Sequence, residues 1–485
     1  MSRQSNAHSM RINLRVYLLL FSCFGMTGCA YYGDIHSHSR PLSSRALSQA
    51  HVYPSSPVPP LASHNWWARF KDTQLDELIQ VALHDAPTLK MAENRLGRSQ
   101  HLADEASSAL WPSVEFSGYV QRQRFSTFGL VPPPFNGRTY NIGMLGLNFN
   151  YEFDFWGKNR QFLIASLNEA CASQSELLAA RLIISTAVAS TYFQLRYDIT
   201  QTHLADTQWK ISQKLLKIAS DRARHGINSD IPVKEIQARA QAQKISLEFY
   251  KQETLLARHQ LAVLIGKNPF TTEIMARPFA EQNYQVNLPA LLPANLLANR
   301  PDIYAAKYRM LAAANRINVA KAYFFPDINL NALLSYQSVG LGHLFDSQSH
   351  NNAITGAVDL PVFDAGARRA NLRVKYDEYD LSVNEYNQRV LKALQEVSDQ
   401  LAILKAVKAQ QVAQHSAFSA TKKNYQLFRS RYRHGISDYA DVLIAQQSYT
   451  ESLGQLTTLQ TQHVQAVIGM LKALGGSDVN EGARV

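Results

Sequence analysis

The chain has 485 residues, 46% of them hydrophobic and 18% charged, with a formal net charge of +11 that falls to +8 once Arg3, Arg11 and Arg15 of the N-terminal segment are set aside. The remaining basic excess is spread along the chain without a block, the pattern of solvated helix faces and not of a nucleic-acid surface. Of three cysteines, Cys23 and Cys29 lie in or next to that N-terminal segment, so Cys171 is the sole free thiol expected after processing, which excludes an intramolecular disulfide and a thiolate metal site.

The N-terminus reads as an export signal: arginines precede an apolar stretch from Val16 to Phe24 that is too short to span a bilayer and ends at Met26-Thr27-Gly28-Cys29. Small residues before a cysteine suit a lipoprotein signal peptidase, so residues 1–28 are expected to be removed and Cys29 to carry lipid. An ordinary secretory signal with an incidental cysteine is the alternative. Met10 is a possible start and leaves the export reading intact. Ala30 follows the cysteine, where an aspartate commonly retains lipoproteins at the inner membrane, so the outer membrane is the expected destination. Residues 29–65, rich in Ser, Pro and His without hydrophobic period, read as the lipidated N-terminus and a linker. His36 and His38 lack further ligands beside them, and no metal or cofactor is expected.

Two copies of one plan follow. Ala86-Pro87 and Arg300-Pro301 each open a helical stretch, and Trp111-Pro112 and Phe325-Pro326 lie at the same offset of 214. Further on, Gly157 matches Gly366, and Arg224-His225-Gly226-Ile227 matches Arg433-His434-Gly435-Ile436, at an offset of 209. The change of five places a longer loop in the first copy, between Pro112 and Gly157. Sixty-eight residues without Gly or Pro follow Gly157 and again Gly366, which as helix is about 100 Å. Second helices are expected from Val233 to Ile265 and from Tyr439 to Leu474, so each copy holds a helical hairpin with its tip near 226 or 435. The repeats are bounded at 66–285 and 286–476, with a tail at 477–485.

Between the helices lie strands, within about 111–157 and 325–366. From Leu145 to Phe155 every odd residue is Leu, Phe or Tyr, while Gly146, Asn148, Asn150, Glu152 and Asp154 alternate with them. Val114, Phe116 and Val120 alternate less cleanly; Ile328, Leu330, Ala332 and Leu334 give a third strand, and Ile354 to Val362 a fourth. Such faces suit a barrel wall between lipid and water. Four strands cannot close a lipid-exposed barrel, so the chain must oligomerise. The fold expected is mostly α with a β-barrel portion, three copies giving a 12-strand β-barrel and a 12-helix α-barrel.

These residues resemble the TolC-like outer-membrane efflux factors, in particular the lipidated NodT-type branch. The carrying motifs are Trp66-Trp67, Asn299-Arg300-Pro301-Asp302-Ile303, Phe324-Phe325-Pro326, Leu360-Pro361-Val362-Phe363-Asp364-Ala365-Gly366, and Arg433-His434-Gly435 leading to Asp441-Val442-Leu443. The resemblance implies a homotrimeric, passive outer-membrane duct reached by an inner-membrane exporter through a periplasmic adaptor. It implies an acidic ring at a periplasmic constriction, with Asp441 as the leading candidate and Asp438 and Asp230 secondary. An exposed helix-start aspartate is the alternative for Asp441. Pro232 stands at the first-copy counterpart of Asp441, so the two tips differ. Gly226 and Gly435, with Arg224, His225, Arg433 and His434, form the tips where the family meets its adaptor; a solvated turn is the alternative. No P-loop, GxSxG, HExxH or dinucleotide fingerprint occurs, so an enzyme is not expected. A type I protein-secretion duct and a lipid-anchored structural coiled coil remain as alternatives. Five unclustered methionines after processing speak against a dedicated copper or silver exporter.

Overall fold

The computed structural model describes residues 34–42, 65–270, 274–278 and 300–476. The export segment, Cys29, Asn299, most of the linker and the 477–485 tail lie outside the described residues. In chain order a 3-10 turn at Trp66–Phe70 leads into α1 (Thr73–Asp85), α2 (Pro87–Ser108), β1 (Ser113–Arg124), β2 (Thr139–Glu152), α3 (Lys158–Arg224) and α4 (Ile231–Leu264). Then come α5 (Pro301–Ala322), β3 (Asp327–Val339), β4 (His350–Asp359), α6 (Ala367–Arg433) and α7 (Tyr439–Ala473). Both α3 and α6 run for 67 residues. Each of two compact units draws on both halves of the chain: one from Met1–Pro41, Leu96–Ala172 and Ala306–Tyr386, the other from Leu42–Arg95, Ser173–Ala305 and Asn387–Val485.

The first unit holds a four-stranded antiparallel sheet in the order β1-β2-β3-β4. Its register sorts the side chains by chemistry. Val114 and Phe116 face Phe149 and Leu147; these face Ala332 and Leu334; and Leu330 and Ala332 face Gly356 and Ile354. The other face carries Ser117, Asn148, Asn150, Asn331 and Thr355, with Asn148 Nδ2 donating to Ser117 Oγ at 2.7 Å. A one-residue slip would put every side chain on the wrong face, so this pattern specifies the register. Much of the apolar face is open, with Phe116 68% and Ile354 82% exposed, while Leu341 and Leu344 cover it at Gly143.

Two strand ends differ from the sequence expectation. The fourth strand stops at Asp359 and not at Val362, because Pro361 has no N–H for the ladder. The second strand stops at Glu152, and Asp154, expected on its polar face, instead accepts the Asn159 and Arg160 amides at 3.1 and 2.9 Å at the start of α3. A carboxylate at a helix N-terminus satisfies donors that the helix itself cannot. The loop at 125–138 is longer than the one at 340–349, so the first hairpin is the longer, as the change in repeat offset requires. Below the strand ends Trp156 stacks on Phe325 at 4.6 Å and donates to the Pro326 carbonyl at 2.9 Å.

In the second unit Trp66, Trp67 and Phe70 join Leu75 and Ile79 of α1, Ile184, Val188 and Phe193 of α3, Leu261 of α4, Leu404 of α6, and Val467 and Leu471 of α7 in one core. α3 is long and apolar enough by length and composition to cross a membrane; its apolar residues Val188, Phe193 and Leu195 are fully buried in this core. Asp72 organises the entry to it. Its carboxylate caps α1 through the Gln74 and Leu75 amides, both at 3.2 Å, and takes bonds from Tyr192 at 3.0 Å and Arg196 at 2.8 Å.

Candidate functional site

The helix pair α3–α4 and the pair α6–α7 each turn at a glycine. At Gly226, with φ +73°, the Gly226 N–H bonds the Ala223 carbonyl at 2.9 Å and the Ile227 N–H bonds Arg222 at 2.9 Å. At Gly435, with φ +69°, Gly435 bonds Tyr432 at 3.0 Å and Ile436 bonds Arg431 at 2.9 Å. This is the Schellman pattern, in which a left-handed residue lets two otherwise orphaned carbonyls of the last turn find donors. A side chain here would meet no neighbour, so glycine is required for its backbone angle and not for space.

The histidines repeat the same device. His225 Nδ1 lies 2.7 Å from the Asp221 carbonyl and His434 Nδ1 lies 2.8 Å from the Ser430 carbonyl, four residues back in each case. Both rings therefore close the last helical turn while remaining exposed. Arg224 turns back to Asp221. Arg433 is exposed at the end of α6.

The three carboxylates differ. Asp438 stands at the N-cap of α7 without a capping bond, and Arg222 at the end of α3 reaches it at 2.9 Å, a contact that ties one tip to the other. Asp230 stands at the N-cap of α4, also without a capping bond. Asp441 lies in the first turn of α7, half-buried, and among the described residues it has no hydrogen-bond or ion-pair partner. Two residues on, Leu443 is buried with Ile211 and Leu215 of α3 and packs Ile236 of α4, so the turn that carries Asp441 is fixed from beneath.

Above the tips the helices are joined by amides. Gln201 donates to the Gly454 carbonyl at 3.1 Å and Gln208 to the Gln447 carbonyl at 2.8 Å, both from α3 to α7. They line a groove of about 690 Å³ together with Arg239, Gln243 and Tyr250 of α4. Among the described residues no group of three His, Cys, Asp or Glu is placed to hold a metal ion.

One cluster gained no role from its sequence motif. Arg300 is buried and forks onto Asp302 at 3.0 and 2.9 Å, while its remaining Nη1 donates to Glu396 at 2.7 Å and to the Ala473 carbonyl at 3.0 Å. One guanidinium thus joins the start of α5, the middle of α6 and the end of α7. Burial alone would raise the Asp302 pKa, but the Arg300 fork outweighs it and holds the carboxyl below its ordinary value.

An antiparallel sheet with a largely exposed apolar face and two edges unpaired among the described strands, carried with long helical hairpins, defines a channel-forming protein of the outer membrane. Residues 78–267 and 292–476 match the family described as outer membrane efflux protein, and the chain belongs to that family. It is 26% identical to the multidrug resistance outer membrane protein MdtP of Escherichia coli K12, over 95% of this chain and 96% of that protein. It is 29% identical to the putative multidrug resistance outer membrane protein MdtQ of the same organism, over 85% of this chain and 87% of that protein. Among solved structures it resembles the outer membrane protein VceC of Vibrio cholerae at 30% identity and a TM-score of 0.76, over 86% of this chain and 99% of that one.

Proposed function

We propose that the chain forms, as a homotrimer, the passive outer-membrane duct of a tripartite efflux pump, anchored by lipid at Cys29 and served by a periplasmic adaptor and an inner-membrane exporter. The sheet carries this reading: one face is apolar and exposed, the other is lined by Asn, Ser and Thr, and β1 and β4 each lack a second neighbour among the described strands. In hydrocarbon an open edge leaves backbone groups unpaired, so the strands of several copies must close on one another. The likeness to MdtP and MdtQ supports drugs or other small molecules as cargo. The function is geometric and electrostatic and needs no catalytic residue. The tips Arg224-His225-Gly226 and Arg433-His434-Gly435 are the adaptor contacts, and Asp441 is the gate carboxylate, with Asp438 and Asp230 secondary.

Planar-bilayer recording tests this. The purified protein is expected to give discrete ohmic steps from an oligomer that dissociates on heating. Preparations with native helix content and no conductance, with the gate both intact and substituted, would remove the duct reading in favour of a structural coiled coil.

A further inference from the structure

The segment that follows the expected lipid site is seated on the protein. From Asp34 to Arg40 exposure alternates, with Ile35, Ser37 and Ser39 half-buried and Asp34, His36, His38 and Arg40 exposed, the period of an extended chain with one side against a surface. That surface lies on α5 and α6. Ile35 packs against the buried cluster of Ile317, Ala320 and Phe324 on or just after α5 and Leu372 on α6. One helical turn beyond Tyr376, the Asp380 carboxylate takes three bonds from the segment: the Ser37 hydroxyl at 2.5 Å, the His38 amide at 2.9 Å and the Ser39 amide at 3.1 Å. One further turn along, Asn384 Nδ2 donates to Ser39 Oγ at 3.0 Å.

The duplication supplies an internal control. At the offset of 209, Asp380 and Asn384 correspond to Cys171 and Ser175 on α3. The helix position therefore does not itself require a carboxylate and a carboxamide four residues apart. These groups occur in the copy on which the N-terminal segment lies. Burial alone would raise the Asp380 pKa, but the Ser37 hydroxyl and the His38 and Ser39 amides outweigh it and hold the carboxyl below its ordinary value, as expected of a carboxylate surrounded by donors.

We propose that Asp380 and Asn384 form a dedicated seat for Ile35–Ser39, and that this seat holds the N-terminal lipid beside the sheet-bearing unit instead of leaving it on a free tether. The second half rests on lipidation of Cys29. Cys29 lies only five positions before Asp34, so a lipid there lies within about 18 Å of the seated segment at full extension. An unseated linker reaching back to Trp66 would let the anchor wander several times farther. Seating also covers Ile35 and the cluster beneath it, so the anchor and the helices that carry the strands are fixed together.

Hydrogen exchange on the full-length oligomer in detergent tests the seat. The His38 and Ser39 amides bond the Asp380 carboxylate and not a backbone carbonyl, so their protection depends on that side chain. Wild type is expected to exchange there at least about tenfold more slowly than Asp380→Ala, with Asn384→Ala in between. Ser37→Ala approaches the contact from the other side and serves if the helix variants fail to fold. Equal exchange in wild type, Asp380→Ala and Ser37→Ala overturns the seat. Cys29→Ser separates the two claims: protection retained in that variant supports a seat independent of lipid, and protection lost in it overturns that independence. The mass of the mature N-terminus judges lipidation alone; an unmodified Cys29 overturns the anchoring half while the exchange data still decide the seat.

Discussion

At the scale of single residues, the tips separate charges that are already neutralised from one that is not. Asp438 is engaged by Arg222, whereas Asp441 sits half-buried in the first turn of α7 with no partner among the described residues. In a symmetric assembly an unneutralised carboxylate near the axis is the one whose field a permeating ion meets. Asp441→Asn keeps the size and removes the charge. It is expected to lower cation-over-anion selectivity about two- to tenfold, because each charge is worth on the order of 0.5 kcal/mol to an ion about 8 Å away in water. Reversal potentials in asymmetric salt measure this, and an intact oligomer with unchanged selectivity would return Asp441 to a helix-start aspartate. Asp438→Asn, which removes an exposed pair, is expected to change thermal stability by less than about 1 kcal/mol. The tip glycines were legible in the sequence because a positive φ admits few residues. The Arg222–Asp438 pair was not, because it joins positions from different repeats, and periodicity ranks the faces of one helix without saying which face of another it meets.

At the scale of elements, the strands show where pattern reading succeeds and where it stops. Alternation fixed which residues share a face, since the period of two leaves no other assignment. It did not fix the ends, because Asp154 serves a helix amide equally well and Pro361 ends a ladder that its neighbours would continue. The Arg300 motif was visible as a string, but its role depends on Glu396 and the Ala473 carbonyl, which only folding brings near. Arg300→Met leaves Asp302 without its fork and the α7 carbonyl without its donor. Since Asp302 and Glu396 are partly reached by water, the expected loss is about 2–3 kcal/mol, below the full cost of stripping a wholly buried pair. Thermal melts by circular dichroism should show it at neutral pH. The Asp302 pKa is depressed in the folded state, so its share of the stability is present above the ordinary value of 3.8 and is lost as pH falls through the lower folded value. The gap between variant and wild type should therefore narrow in acid, and a gap constant down to strongly acidic pH would assign the loss to packing alone.

At the scale of the whole molecule, the proposed three copies rest on what the sheet faces require. The described residues of one chain supply four strands, with β1 and β4 as edges. Two copies would give eight, the smallest barrel that closes, but its interior is just wide enough to be filled by side chains. The polar face of this sheet carries Asn148, Asn150, Asn331 and Glu152 among a few apolar residues such as Leu333 and Met144, a lining suited to water. Twelve strands from three copies leave a lumen in which those groups stay hydrated, while Val114, Phe116, Ile354 and Val358, all exposed in the single chain, face lipid. The long helices reinforce the count, since their exposed apolar residues, such as Ile245, Phe249 and Leu256 of α4, want partners that one chain does not provide. Native mass spectrometry in detergent is expected to find three copies and no folded single chain. Strand content followed on dilution should fall with dissociation, because the edges lose their pairing. A stable monomer that keeps its full strand signal would show that the four-stranded sheet needs no closure, and the barrel would then have to be abandoned along with the trimer.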